Sequence, residues 1–231
     1  MKAYAIVIDG NETSELGYDN LVKSSWSIEN EFTLERFNAI IPKNVEELMS
    51  SMDIWWNYPW EGQVIDFQSG LTKTAYTTKD YRKRMACSMS HFCLWNKAYE
   101  IGEDILVLEH DAKFIRKLDL DISKTSYGVI GINNPIGATR RSSVYHDKIS
   151  NNPNPIQQVP YIDDDIKIPQ GLAGNSAYLI TPWAAEEIID KVYQYGLWPN
   201  DALMCRQIFP FLGVSKKYYT EIQGLPSTTT L

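Results

Sequence analysis

Ile105-Leu106-Val107-Leu108-Glu109-His110-Asp111 is the stretch on which the fold reading turns. Four apolar residues run directly into two carboxylates that flank a histidine. In an α/β domain the carboxyl end of a buried strand is where ligands bind, because the chain leaves the sheet there and exposes its next side chains in a crevice. Glu109 and Asp111 stand at alternate positions and share one side if the chain stays extended. Two hard oxygen ligands on one side suit a divalent cation and a phosphorylated substrate. The plainer alternative is a strand closing in a solvated acidic turn.

Outward from this stretch, strands alternate with helices. Residues 3–8 form an apolar run closed by Asp9-Gly10, a first strand. A helix is expected over about Ser14 to Trp26, a strand from Thr33 to Asn38 and a short helix from Val45 to Met52. Residues 53–70 hold Trp55, Trp56 and Trp60 among breakers without a period, which reads as a functional loop or lid. The strongest helix covers about Lys79 to Ile101: Met85, Met89, Phe92 and Leu94-Trp95 recur near helical spacing, and Gly102 closes it. Strands are expected at 104–108, Tyr127 to Ile132 and Ser176 to Ile180. Thr181-Pro182 opens a further helix that ends near Tyr195, before Gly196. A last helix over about Asp201 to Phe209, a strand from Lys216 to Tyr219 and a polar tail complete the chain. The expectation is one α/β domain over 1–231 with a mostly parallel sheet, interrupted by a polar loop or small insertion at 133–170.

Composition narrows the function classes. Hydrophobic residues at 44% and charged residues at 22% of 231 residues describe an ordinary globular chain with one substantial core. The net charge of -7 lacks the positive field of a nucleic-acid binder, although Arg82-Lys83-Arg84 is a local basic patch. No run approaches the ~20 apolar residues that span a bilayer, and the N-terminus does not read as a signal peptide. Cys87, Cys93 and Cys205 are an odd number without paired spacing, as expected of reduced thiols in a cytoplasmic protein.

Residues 82–114 and the blocks after them resemble glycosyltransferase family 25, the group of lipooligosaccharide-type and collagen galactosyltransferases. The likeness rests on Arg84-Met85-Ala86-Cys87-Ser88-Met89-Ser90-His91, then Trp95, then the strand that ends Leu108-Glu109-His110-Asp111. Gly174-Asn175-Ser176-Ala177-Tyr178-Leu179-Ile180 and Pro199-Asn200-Asp201 follow in the family's order, and Ile6-Val7-Ile8-Asp9 stands at its first strand. His110 is a departure, since the family has a second Asp there.

The resemblance implies a GT-A-like nucleotide-sugar-binding fold, a UDP-sugar donor, Mn²⁺ or Mg²⁺, and a hexose transferred to a saccharide or lipooligosaccharide hydroxyl. A cation between the diphosphate and the acidic motif would neutralise charge that develops as the glycosidic bond breaks. The metal candidates are Asp111, Glu109 and His110. Asp9, Arg84, Ser90, His91, Glu109, Gly174 and Asn175 are candidates for donor contact. Asp201 is the candidate general base that takes the acceptor's proton.

Each has a plainer role. Asp201 caps the following helix, His91 is a packing residue, Arg84 is a surface charge, and Asp9 is a turn aspartate. With no membrane span of its own, the protein would meet a lipid-linked acceptor peripherally at the membrane surface. A modified nucleic-acid base as acceptor, and a family member that binds a sugar nucleotide without turnover, are the competing functions. The sequence does not specify the oligomeric state.

Overall fold

The computed structural model describes residues 1–228; the last three residues of the expected polar tail lie outside them. In chain order the elements are β1 (Lys2–Val7), α1 (Glu12–Ser27), β2 (Leu34–Asn38), α2 (Val45–Ser51), β3 (Gln63–Ile65) and β4 (Thr72–Thr74). Then come α3 (Tyr81–Ile101), β5 (Ile105–Glu109), β6 (Ala112–Phe114), β7 (Val129–Gly131), α4 (Ser142–Asn151) and β8 (Ile156–Gln158). The chain continues through β9 (Ala177–Ile180), α5 (Pro182–Tyr195), α6 (Asn200–Leu203), β10 (Leu212–Ser215) and β11 (Thr220–Ile222).

Seven strands form the central sheet in the order β2-β1-β5-β9-β7-β10-β8. β1 pairs in parallel with β2 and β5, and β10 with β7; β9 lies antiparallel between β5 and β7, and β8 antiparallel at the edge. Five strands therefore run one way and two the other, so the sheet is mostly parallel, as expected.

Strand alternation divides the core into two layers. Tyr4, Ile6, Ile105, Val107, Tyr178 and Ile180 pack on the face covered by α3 and α5. Ala3, Ala5, Val7, Leu106, Leu108, Ala177 and Leu179 pack on the opposite face with Leu21 of α1. A sheet buried on both faces explains why β5 is continuously apolar rather than alternating.

The caps decide where helices begin. Asn11 caps α1: its side chain accepts from the Ser14 N–H, while Ser14 Oγ accepts from the Ile8 N–H. Asp80 caps α3 by accepting from the Arg82 N–H, and Gly102 ends that helix in the left-handed region at φ +63°.

The structure corrects four sequence expectations. Residues 53–70 contain the first strand of the β3–β4 hairpin. The polar stretch 133–170 contains α4 and the edge strand β8. The last helix is one turn, Asn200–Leu203, because the chain bends to lay Gly171 against the Met204 carbonyl, where an added Cβ would stand 2.2 Å away. The strand expected at Lys216 to Tyr219 lies between β10 and β11. Leu212–Ser215 is buried at every position and adds to the sheet, whereas Lys216 and Lys217 are exposed.

Candidate active site

The acidic motif lies where the chain leaves the sheet at the end of β5 and before β6, and strand alternation aims its members. Glu109 continues the Ile105–Val107 series towards α3. His110 continues the Leu106–Leu108 series towards α1, where a Cβ on Gly17 would stand 2.7 Å from the His110 carbonyl and 3.1 Å from its ring. Asp111 follows at the turn.

Two cavities meet at this motif. One, about 250 Å³ and mainly apolar, is walled by Ile6, Ile8, Ala39, Ile40, Ile41 and Ala86 and also touches Cys87, Ser90, His91, Glu109 and His110. The other, about 400 Å³ and polar, is lined by Arg84, Glu109, Asp111, Asn175 and Asp201 among others. Cys87, Glu109, His110 and Thr228 face both. An apolar slot opening into a polar, charged chamber matches a ligand with a flat ring at one end and anionic or hydroxylated groups at the other.

Hydrogen bonds set the charge states. His91 is fully buried; its Nδ1 lies 2.8 Å from the Tyr178 hydroxyl and its Nε2 lies 3.0 Å from Glu109 Oε1. Burial opposes ionisation of Glu109, but the hydrogen bond from His91, with the Arg84 guanidinium adding to it, holds the carboxyl below its ordinary range. Asp111 moves the other way, to about 7, because burial and the Glu109 charge both disfavour its carboxylate against a Ser176 hydrogen bond. Its Oδ1 is buried without a hydrogen-bond partner. A buried carboxylate oxygen with no donor beside a second acid is a place a cation would satisfy.

His110 points away from these two acids, towards α1. Burial holds its imidazole below the ordinary range, so it stays neutral, and it hydrogen-bonds the backbone of Ile6. Cys87, His91 and Glu109 bring ligand atoms within 4.8 Å of one another. In that trio both ring nitrogens of His91 are already engaged, and burial keeps the Cys87 thiol protonated. Among the described residues Glu109, His110 and Asp111 do not bring three ligand atoms within 4.8 Å of one another; the donors left open to a cation are an oxygen of Glu109 and Oδ1 of Asp111.

Asp201 does not cap α6; it lies in the first turn, after Pro199, without a capping bond. Its carboxyl faces the polar chamber and accepts a hydrogen bond from Tyr76. Burial raises its pKa against the opposing charge of Arg84. The Arg84 guanidinium lies over the Tyr76 ring at 5.0 Å. Gly174 adopts φ +78°, and a Cβ there would stand 2.7 Å from that of Ala138, so only glycine fits. Asn175 is buried with its Oδ1 unpartnered at the chamber wall.

Two candidates stand differently. Asp9 lies on the surface, paired with Arg36 at 2.9 Å, and borders neither cavity; its neighbours Ile8 and Asn11 border the apolar one. Ser90 is 1% exposed and ties elements together, donating to the Ala86 carbonyl and accepting from the Ile40 N–H. Sequence reasoning missed Tyr76, Ser176 and residues 225–228, which border the polar chamber. Ser176 and Tyr178 sat inside the quoted Gly-Asn-Ser-Ala-Tyr block, a signal that was available; Tyr76 and the tail had none.

The family model for glycosyltransferase family 25, described as an LPS biosynthesis protein, matches residues 22–204. The chain belongs to this family and is a glycosyltransferase. No curated protein matches it. Among solved structures, the galactosyltransferase LgtC in complex with donor and acceptor sugar analogs is similar at 11% identity and TM-score 0.46, covering 93% of this chain and 73% of that one. The glycosyltransferase GlyE from Streptococcus pneumoniae TIGR4 is similar at 10% identity and TM-score 0.41, covering 92% and 44%. Among the described residues no helix is long and apolar enough to cross a membrane.

Proposed function

We propose that the chain, acting as one domain, transfers a hexose, galactose or glucose, from a UDP-sugar to a hydroxyl of a saccharide or lipooligosaccharide acceptor. The observation that carries this reading is the junction of an apolar slot and a polar chamber at Glu109 and His110, with the orphaned Asp111 oxygen beside them. The uracil and ribose occupy the slot of about 250 Å³ between the end of β1, residues 39–42 and α3. The diphosphate lies at the acidic motif and the sugar in the polar chamber with the acceptor.

Asp111 and Glu109 would hold Mn²⁺ or Mg²⁺, which would supply positive charge to the diphosphate leaving group. Carboxylate oxygens suit either ion. Arg84 and Arg140 add fixed positive charge to the same chamber. Asp201 accepts the proton of the acceptor hydroxyl; the oxygen bonds to the anomeric carbon as its bond to the diphosphate breaks and UDP leaves. The raised pKa of Asp201 suits a base, because it strengthens the carboxylate's hold on a proton. The Tyr76 hydrogen bond orients the carboxylate. The reaction would take place in the cytoplasm, with lipid-linked acceptors met at the membrane surface.

The deciding experiment is thermal shift with UDP, with and without Mn²⁺, followed by UDP release from UDP-galactose and UDP-glucose. A ligand that binds only the folded state raises Tm. A UDP shift that deepens with Mn²⁺, and UDP release that vanishes in Asp111→Ala, is expected. Equal shifts for purine nucleotides, or release that survives in Asp111→Ala, would overturn the donor and metal assignments.

A further inference from the structure

We infer that Tyr178 and Trp95 are positioning residues that act on the donor site through His91, fixing its imidazole as the Nε2–H tautomer with the proton aimed at Glu109. The inference rests on the donor-site reading of Glu109 given above, and its hydrogen-bond logic stands apart from it.

The three side chains behind Glu109 are fully buried: Trp95, Tyr178 and His91 each show 0% exposure. The indole N–H can only donate, and it lies 2.9 Å from the Tyr178 hydroxyl, so the phenol oxygen accepts there. The phenol has one proton of its own, and a buried donor left unpaired is costly. Its other partner is His91 Nδ1 at 2.8 Å. The phenol proton therefore goes to Nδ1, which must be bare. The single imidazole proton then stands on Nε2, 3.0 Å from Glu109 Oε1. A doubly protonated ring would leave the phenol proton without an acceptor. Donation runs one way, from indole to phenol to imidazole to carboxylate.

Rigid elements hold every link. His91 and Trp95 stand at i and i+4 on α3, which places them on one face. Tyr178 is paired with Val107 across the β5–β9 ladder, two residues before Glu109 on the same side of the strand. Glu109 alone of the four reaches the polar chamber, with its side chain 27% exposed. With Oε1 tied to His91, the plane of the carboxylate is set, and Oε2 is the oxygen left for a cation or a ribose hydroxyl. Groups that orient a ligand in this way are worth roughly 10–100-fold in metal affinity.

Two measurements on the full chain test this. In protein labelled with ¹⁵N-histidine, three histidines are present, and His91→Gln assigns the His91 signals. Wild type should show a protonated Nε2 and a bare Nδ1 that accepts a hydrogen bond. In Tyr178→Phe the Nδ1 signal should move to that of a nitrogen without a hydrogen bond, because the phenol proton is gone while Glu109 still requires the proton on Nε2. A protonated Nδ1 in wild type would overturn the inference whatever the donor is. In the second measurement, Mn²⁺-dependent UDP binding should weaken about tenfold in Tyr178→Phe and in His91→Ala.

His91→Gln keeps an N–H near the position of Nε2 and should bind more tightly than His91→Ala. In the His91→Gln background, adding Tyr178→Phe should cost no further affinity, although both changes lower Tm. Unaltered binding in Tyr178→Phe, or an equal loss in the His91→Gln background, would reduce Tyr178 to a packing role and overturn the proposal. Absence of Mn²⁺-dependent UDP binding in wild type would count against the donor reading, and the tautomer measurement would still decide the hydrogen-bond chain.

Discussion

Lys73 and Asp66 form an ion pair at 2.9 Å with side chains only 1% and 8% exposed, beneath the Trp198 ring. The ammonium also donates to the Asn57 carbonyl at 2.7 Å, and Asp66 accepts from both the N–H and the hydroxyl of Ser69. The pair closes the β3–β4 hairpin on itself, Lys73 ties that hairpin to Asn57 and Trp198, and the chain leaving it delivers Tyr76 to Asp201.

Removing one partner of a buried pair leaves the other uncompensated. Asp66→Ala should cost about 3–5 kcal/mol in urea unfolding, because Lys73 keeps a buried charge with a single carbonyl beside it. Lys73→Met should cost clearly less, since Asp66 retains the Ser69 donors and the methionine fills the space under Trp198. Equal losses in the two variants would show that the hairpin is held by something other than this pair.

Asp111 gives the metal-free protein a defined pH dependence. Its carboxyl sits at about 7 when folded, against an ordinary value of 3.8, so the folded state holds this proton more tightly than the unfolded chain. The associated stability is complete below about pH 4 and is lost as pH rises through about 7. Asp201, also raised, contributes with the same sign. In chelator, Tm should fall between pH 5 and pH 8, and Asp111→Asn should reduce that slope without abolishing it. Mn²⁺ should restore Tm most at the higher pH, where the carboxylate is ionised. A slope unaltered by Asp111→Asn would locate the titration elsewhere.

Asp201→Asn separates transfer from binding. The amide keeps an oxygen that can accept from Tyr76 but does not take up the acceptor's proton. Sugar transfer should fall by about 10²–10⁴, the range for a lost general base, while the Mn²⁺-dependent UDP shift persists. Transfer retained within a few-fold would remove Asp201 from the chemistry.

Gly17 tests the packing of α1 on the acidic motif. At an open helix site, Gly→Ala stabilises by up to about 1 kcal/mol. Here the new Cβ would stand 2.7 Å from the His110 carbonyl and 3.0 Å from Leu225 Cδ1. Overpacking of this kind costs about 1–3 kcal/mol, so Gly17→Ala should lower Tm, and it should weaken Mn²⁺-dependent UDP binding because His110 must shift. A raised Tm would show that α1 is free to move away from the motif.

Local pattern determined a large part of this protein. The apolar run 105–108 announced a buried strand, as found, and period two set Glu109 and Asp111 on one side; both border the polar chamber. Gly102 and Thr181-Pro182 marked helix ends that the structure keeps, because caps are made by residues adjacent in the chain. The ordered blocks from Arg84 to Asp201 carried the family, and most of them border one chamber.

Tertiary structure decided the rest. Whether Asp201 caps a helix or faces the site depends on Tyr76, 125 positions away in the chain; the bend after α6 turned it towards the chamber. Asp9 and Asn11 are both polar residues just after β1; Asp9 pairs with Arg36 of the neighbouring strand at the surface, whereas Asn11 caps α1 and borders the apolar cavity. The pairing of His91 with Tyr178 spans 87 positions and exists because β9 enters antiparallel beside β5. Hydrogen-bond partners and ionisation states are properties of what surrounds a side chain, and a periodic pattern records only which way it points.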